Sequence, residues 1–262
     1  MRELYGAHKG KVSDKWSLHL DVYDRVLPRH RGTARALVEV GVQNGGSLEV
    51  WARYFRAATV IVGCDIDPSC GRLVFEDPRI SIVVGDVNTN GAFEAIRTRT
   101  QACDVFIDDG SHTSRDIIAT FCKYFRHVAP GGTYVIEDLQ CSYYAAWGGG
   151  LGRRDTSMEF LKTLADFVNR KHWQRGDRTP AERLARFFAT GPQPDMAVFR
   201  DLYSISFYES LCVVEKRAAG ATLGLGERII AGSDASVSSD PVDLRSAPPV
   251  SSTSGAAPSD PI

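Results

Sequence analysis

The sequence predicts an α/β fold built on a mostly parallel sheet with an antiparallel last strand. Three observations predict it. Five short apolar runs between residues 36 and 136 are separated by stretches long enough for crossover helices. Several runs end in glycine or an acid, as strands do where they deliver a site. Two further β-rich runs, 202–208 and 211–216, are joined only by Glu209-Ser210, and so short a connection allows only an antiparallel pair.

Taken in order, residues 1–28 form an N-terminal segment, with a helix expected over 13–27. Ala36-Leu37-Val38-Glu39-Val40 is the first strand, closed by Gly41. A helix over 47–55 follows, with Leu48, Val50, Trp51 and Phe55 apolar. The second strand runs over 59–64 and ends at Asp65. The third runs over 80–84 and ends at Gly85-Asp86, and the fourth runs over 104–107. Residues 114–128 place Ile117, Ile118, Phe121, Tyr124, Phe125 and Val128 at the spacing of one helix face, and Pro130-Gly131-Gly132 is expected to stop that helix. The fifth strand is 133–136. Residues 139–201 read as a helical insertion, with helices over 157–171 and 180–189, inside a domain spanning 29–217. Residues 218–262 are rich in Ser, Pro, Ala and Asp. They hold too little apolar surface to offset ordering entropy, and disorder is expected there.

The chain of 262 residues has 31 basic and 32 acidic side chains. The tail carries five acids and two bases, so the body is close to neutral at +2. This balance offers no footprint for nucleic acid or an anionic membrane. No run of about 18 apolar residues suggests a membrane span, and the first residues lack a signal-peptide core. Six scattered cysteines without a CxxC pair suggest buried thiols rather than disulfides or zinc. A cytoplasmic location is the expectation.

The chemistry concentrates at strand ends. Asp108-Asp109-Gly110-Ser111-His112 follows the fourth strand and Glu137-Asp138 follows the fifth, bringing four carboxylates and an imidazole to one edge. Oxygen ligands in such a cluster suit a hard cation, and the histidine suits a base. Asp108 is expected to cap the next helix or to contact a cofactor. The loop holding Glu39, Gly41, Gly45 and Ser47 follows the first strand and opens a helix. Its glycines permit close approach to a ligand, but Gln43 stands where a dinucleotide loop has a glycine. Asp65 suits ribose hydroxyls of either a nicotinamide cofactor or S-adenosylmethionine (SAM). The further acid Asp86, near an adenine, and then Asp108-Asp109, favour SAM.

The ordered segments VEVGVQNGGSLEVW, GCDIDP, VVGDV, FIDDGSH, PGGTYVIEDLQCSYY and SFYESLCVVEK resemble the metal-dependent sugar O-methyltransferases, over roughly residues 14–217. That family includes the macrocin and mycinamicin O-methyltransferases and enzymes acting on bacterial polysaccharide and glycolipid sugars. The Asp14-Lys15 and Tyr23 pattern resembles the family too. The resemblance implies a class I SAM-dependent methyltransferase fold of Rossmann-like type. It also implies Asp109, Glu137 and Asp138 as ligands of a divalent metal, magnesium foremost, His112 as general base, and a homo-oligomer. The acceptor would be a sugar-containing small molecule or an oligosaccharide. Tyr143, Tyr144 and Trp147, next to Gly148-Gly149-Gly150, suit a mobile lid packing on sugar CH faces, or else anchors of the core. His8, His19, His30 and His127 read as structural or surface residues. Competing readings are a catechol or small-phenol O-methyltransferase, a SAM-binding protein without catalysis, and an iron-dependent hydroxylase.

Overall fold

A computed structural model of the chain describes residues 1–189, 193–222, 224–229 and 231–232. Residues from Met1 to Gly224 form one compact unit, and those from Leu225 onward a second. The tail expected to be disordered lies mostly outside the described residues.

Seven strands form one sheet in the order β3-β2-β1-β4-β5-β7-β6. They are β1 (Ala36–Val40), β2 (Val60–Asp65), β3 (Ile80–Val84), β4 (Cys103–Asp108), β5 (Val128–Ile136), β6 (Leu202–Tyr208) and β7 (Leu211–Lys216). β1 to β5 are mutually parallel, whereas β7 runs antiparallel to both β5 and β6. The expected sheet, including its final hairpin, is the one formed. The chain winds outward from β1 through β2 to β3 and then returns to β4 on the other side of β1. The β1/β4 seam is therefore the switch point, where ligands bind beyond the strand ends.

The apolar runs are nearly continuous because both sheet faces are covered. Val38, Val40, Phe106, Tyr134 and Ile136 enter the core on one face. Their neighbours Leu37, Ile61, Val105, Ile107 and Val135 enter the core on the other. This is the period of two expected for side chains along strands. Among the described residues, seven α-helices accompany the sheet: α1 (Arg2–Gly6), α2 (Ser17–Val26), α3 (Gly46–Tyr54), α4 (Asn90–Arg99), α5 (Ser114–Tyr124), α6 (Ser157–Val168) and α7 (Pro180–Leu184). Within the insertion, Phe160, Leu161, Leu164 and Phe167 of α6 are buried in the first of these cores with Phe121 of α5. The insertion therefore closes one side of the sheet.

Several boundaries differ from expectation: the helix expected over 13–27 covers Ser17–Val26, and the one expected over 157–171 stops at Val168. α5 ends at Tyr124, passes through a 3-10 turn over Phe125–His127, and Val128 already pairs with Cys103. Pro130-Gly131-Gly132 thus falls within β5, where the register shifts against β4 between Cys103 and Val105. A proline is tolerated at such an irregularity because no ladder donor is required of it. The helix expected over 180–189 continues past Leu184 only as a 3-10 segment, Ala185–Phe188. All six cysteines are buried free thiols.

Candidate active site

Backbone pairing brings the site residues together. Val40 of β1 lies beside Asp108 of β4, and Asp108 beside Ile136 of β5. The next residues continue the ladder: the Asp109 amide donates to the Val40 carbonyl (3.0 Å) and the Glu137 amide to the Asp108 carbonyl (2.9 Å). Three strand ends thus open on a cavity of about 750 Å³. Gly41 is needed at its base, with φ +86°. A β-carbon there would lie 1.9 Å from the Asp109 carbonyl oxygen.

The cavity is lined by Gly41, Ser47, Asp65, Asp86, Asp108, Asp109, His112, Glu137 and Asp138 among the residues expected to form a site. Glu39 and Gly45 do not line it. Glu39 is fully buried beneath it and accepts hydrogen bonds from Ser47 Oγ (2.6 Å) and Trp51 Nε1 (3.1 Å). Burial, stronger than the help of Lys15, pushes its carboxyl above the ordinary range. Gly45 instead starts α3 with φ +82°, its α-carbon facing Phe75. Asp65 holds the loop after β1: its Oδ2 accepts from the amides of Val42 (2.7 Å) and Gln43 (3.0 Å). Asp86 Oδ1 accepts from the Asn88 amide at 2.8 Å.

Asp108 does not cap α5. Thr113 does, its side chain accepting from the Asp116 amide, while Asp108 is buried and accepts from the Tyr134 hydroxyl at 3.2 Å. Burial pushes Asp108 up to about 7, against the pull of that hydroxyl. Tyr143, Tyr144 and Trp147 lie outside the first cavity. Tyr143 and Tyr144 are about half exposed, and Trp147 lines a second cavity.

At the centre of the acidic cluster is a cation from the chain itself. Lys15, only 3% exposed, bonds to Asp109 Oδ2, lies 2.7 Å from Glu137 Oε1 and is 3.6 Å from Glu39 Oε1. Burial opposes its charge, but Glu137 and Asp109 outweigh burial and hold the ammonium above its usual range. Glu137 has two further partners. The Tyr23 hydroxyl donates to Oε1, and His19 Nδ1 lies 2.8 Å from Oε2. Against strong desolvation, Lys15 and His19 together bring Glu137 down to about 2. Asp109 is pushed up to about 8 by burial and by Glu137 beside it. Glu137 and Asp109 thus share the Lys15 ammonium, and their mutual repulsion and burial raise Asp109 while Lys15 and His19 lower Glu137.

His19 and its role were not foreseen. Part of the signal was present: His19 and Tyr23 are four residues apart, the spacing of one helix face, whereas Lys15 lies in the segment before α2. α2 carries His19 and Tyr23 to Glu137, and His19 Nε2 is braced by Ser210 Oγ at 3.1 Å.

The donor atoms form two sets. Asp109, His112 and Asp138 bring one atom each within 4.8 Å of one another, and so do Glu39, Asp109 and Glu137. Asp109 is common to both; the second set already contains the Lys15 ammonium. His112 Nε2 lies 3.6 Å from Asp138 Oδ2. Burial lowers the His112 pKa, partly offset by Asp138 and Glu137, so the neutral ring is favoured. Among the described residues, the non-glycine residues with positive φ are Gln43 (47°), His112 (57°), Asp138 (51°) and Ser210 (69°). The first three line the cavity and the fourth braces His19. Backbone strain thus gathers where side chains must be aimed.

The chain is similar to several known proteins. Residues 38–139 match the model of a methyltransferase domain. The MycE methyltransferase of the mycinamycin biosynthetic pathway, solved in complex with Mg and SAH, superimposes with a TM-score of 0.66 at 28% identity. The match covers 82% of this chain and 54% of that one. An 8-demethyl-8-alpha-L-rhamnosyl tetracenomycin-C 2'-O-methyltransferase from Streptomyces olivaceus is 34% identical over 217 residues, covering 79% of this chain and 52% of the relative. Demethylmacrocin O-methyltransferase from Streptomyces fradiae is 36% identical over 168 residues, covering 59% of this chain and 42% of the relative. The chain spans about half the length of the curated relatives it matches. Its sheet is the Rossmann-like sheet of class I methyltransferases, and no helix among its described residues is long and apolar enough to cross a membrane.

Replacing the central cation tests the charge arrangement. Lys15→Met leaves buried carboxylates without their counter-charge and is expected to cost about 3 kcal/mol of stability at pH 7 in urea unfolding. Adding Glu137→Gln should restore about 1 kcal/mol or more of that loss. Equal stability of wild type and Lys15→Met would show that the lysine is not buried among these acids.

Proposed function

We propose that the chain is a SAM- and Mg²⁺-dependent O-methyltransferase acting on a sugar hydroxyl of a glycoside, oligosaccharide or glycosylated natural product. The observation that carries this reading is the placement of two features in one cavity: a base-and-carboxylate cluster at the β4 and β5 ends, and a glycine loop with two acids at the β1 to β3 ends. The relatives' named reactions, and the Mg and SAH of the MycE complex, support the same reading.

The residues fit a hard divalent cation. Asp109 is crowded by Glu137 and Glu39, and burial together with Glu137 raises its pKa, so a metal charge would relieve the repulsion. Asp109, Glu137 and Asp138 are the proposed ligands, with Asp109 shared between the two donor sets. When bound, Mg²⁺ stabilises the negative charge that develops on an acceptor oxygen. SAM brings a sulfonium leaving group, so the chain's task is alignment. Asp65 and Asp86 are the proposed partners of ribose and adenine, with Gly41, Ser47 and Asp108 lining the same space.

His112 is the proposed general base. Its ring is only a quarter exposed, and Asp138 beside it can hold the imidazolium after proton uptake at Nε2. Lys15, His19 and Tyr23 fix Glu137 from behind and leave the His112 side of the cluster facing the cavity. One observation favours a second reading: His112 falls within 4.8 Å of Asp109 and Asp138 donors and could itself be a ligand. Imidazole suits zinc, iron or copper better than magnesium, which separates the two roles by metal.

Two experiments decide. With labelled SAM and a panel of rhamnosides, other glycosides and catechols, EDTA should abolish methyl transfer and Mg²⁺ restore it. Transfer that survives thorough chelation would sink the metal-dependent reading, and transfer to catechols alone the sugar reading. His112→Ala should lose about 10²- to 10⁴-fold in kcat while keeping Mn²⁺ and SAM affinity, measured by calorimetry. Loss of Mn²⁺ binding instead would make His112 a ligand.

A further inference from the structure

α5 separates two cavities. Ile117 and Thr120 line the first, whereas Ile118, Ala119 and Cys122 line the second. The second has a volume of about 940 Å³ and begins at Thr113, the residue after His112. Its wall across from α5 comes from the insertion, through Trp147, Phe187 and Phe188. No step of the proposed reaction uses it.

Its lining has two characters. Ile118, Phe93, Trp147, Phe187 and Phe188 give apolar and aromatic surface, with Trp147 38% exposed. Around them stand five basic side chains, Arg115, Lys123, Arg126, Arg153 and Arg186, against only two acids, Asp155 and Asp195. Both acids are already engaged. Arg153 holds Asp155 with two hydrogen bonds (2.7 and 2.9 Å), and Arg126 lies 3.8 Å from Asp195. Lys123 bonds to the neutral side chain of Asn90 at 3.0 Å and lies 5.6 Å over the Phe93 ring. Arg186 donates to the Thr163 hydroxyl and lies 4.6 Å over the Phe187 ring. The wall thus keeps three positive charges in excess beside stacking surface.

We propose that this cavity seats the non-reacting part of the acceptor, and that this part is an apolar or aromatic body bearing an anionic group. The proposal rests on the methyl-transfer reading above. It explains why Trp147 faces this space rather than the SAM-type cavity: the aromatic surface meets the aglycone, not the methylated sugar. His112 lines the first cavity and the next three residues, Thr113, Ser114 and Arg115, line the second, so an acceptor reaching His112 past the start of α5 would place its remainder there. Aromatic faces supply area, and exposed arginine and lysine supply selection for charge.

The test compares three glycosides of one sugar: 4-methylphenyl, 4-carboxyphenyl and 4-phosphorylphenyl. Wild type is compared with Arg115→Gln/Lys123→Gln, two substitutions remote from the proposed metal and SAM residues. For the anionic pair, KM should rise about fivefold to tenfold in the variant, with kcat unchanged. KM for the neutral glycoside should stay the same. The anionic arm with the larger change identifies carboxylate or phosphate as the preferred group. Equal effects on all three, or none, would overturn the proposal. Calorimetric binding of the same compounds to SAH-loaded protein gives a readout without turnover. A charge-selective binding loss with no methylation of any sugar would retain the cavity and reject the sugar reaction. Methylation without charge selectivity in either measurement would do the reverse.

Discussion

Three carboxylates converge on one ammonium in the wall of the cavity. Charges taken out of water are costly unless paired, and here every partner comes from a different part of the chain. Lys15 precedes α2, Glu39 belongs to β1, Asp109 follows β4 and Glu137 follows β5. The N-terminal segment is therefore no appendage. It supplies the charge that lets acids gather at the switch point, and α2 adds His19 and Tyr23 to hold Glu137. Because Lys15 occupies the inner side of the cluster, the outer side, with Asp138 and His112, is the one that faces solvent and ligand.

Most of the fold was legible because each strand is a short apolar run ending in a distinctive residue. Buried on both sides, β1 and β4 are interrupted only by the acids Glu39, Asp104 and Asp108, and the two-residue link between β6 and β7 leaves one possible pairing. α4 was not anticipated. Only Ala92 and Ile96 are buried along its ten residues, so its helical period is faint. The end of α5 was misplaced because apolar residues continue through Phe125 and Val128 after the helix has stopped. The Pro130-Gly131-Gly132 signal was read as a stop, but it marks the irregular start of β5.

At the site, residue type and strand position sufficed to place Asp65, Asp86, Asp108, Asp109, His112, Glu137 and Asp138 around one cavity. They did not suffice for side-chain direction. Glu39 lies on the same strand end but points to Ser47 and Trp51, since alternation along β1 turns it beneath the floor. Tyr143, Tyr144 and Trp147 follow the acids closely in sequence. The 3-10 turns over Leu139–Tyr143 and Ala145–Trp147 carry them away to the insertion side. His19 escaped notice because an isolated histidine carries no signature. Its meaning lies in the four-residue spacing that sets it beside Tyr23 on α2.

The division made by α5 has a consequence for how such a protein can change. Adjacent residues of one helix, Ile117 and Ile118, open onto different chambers. Variation on one side of this party wall alters the outer chamber while leaving the inner one with its carboxylates, its lysine and its strained aiming residues intact. New tenants can be tried in one room without rewiring the other.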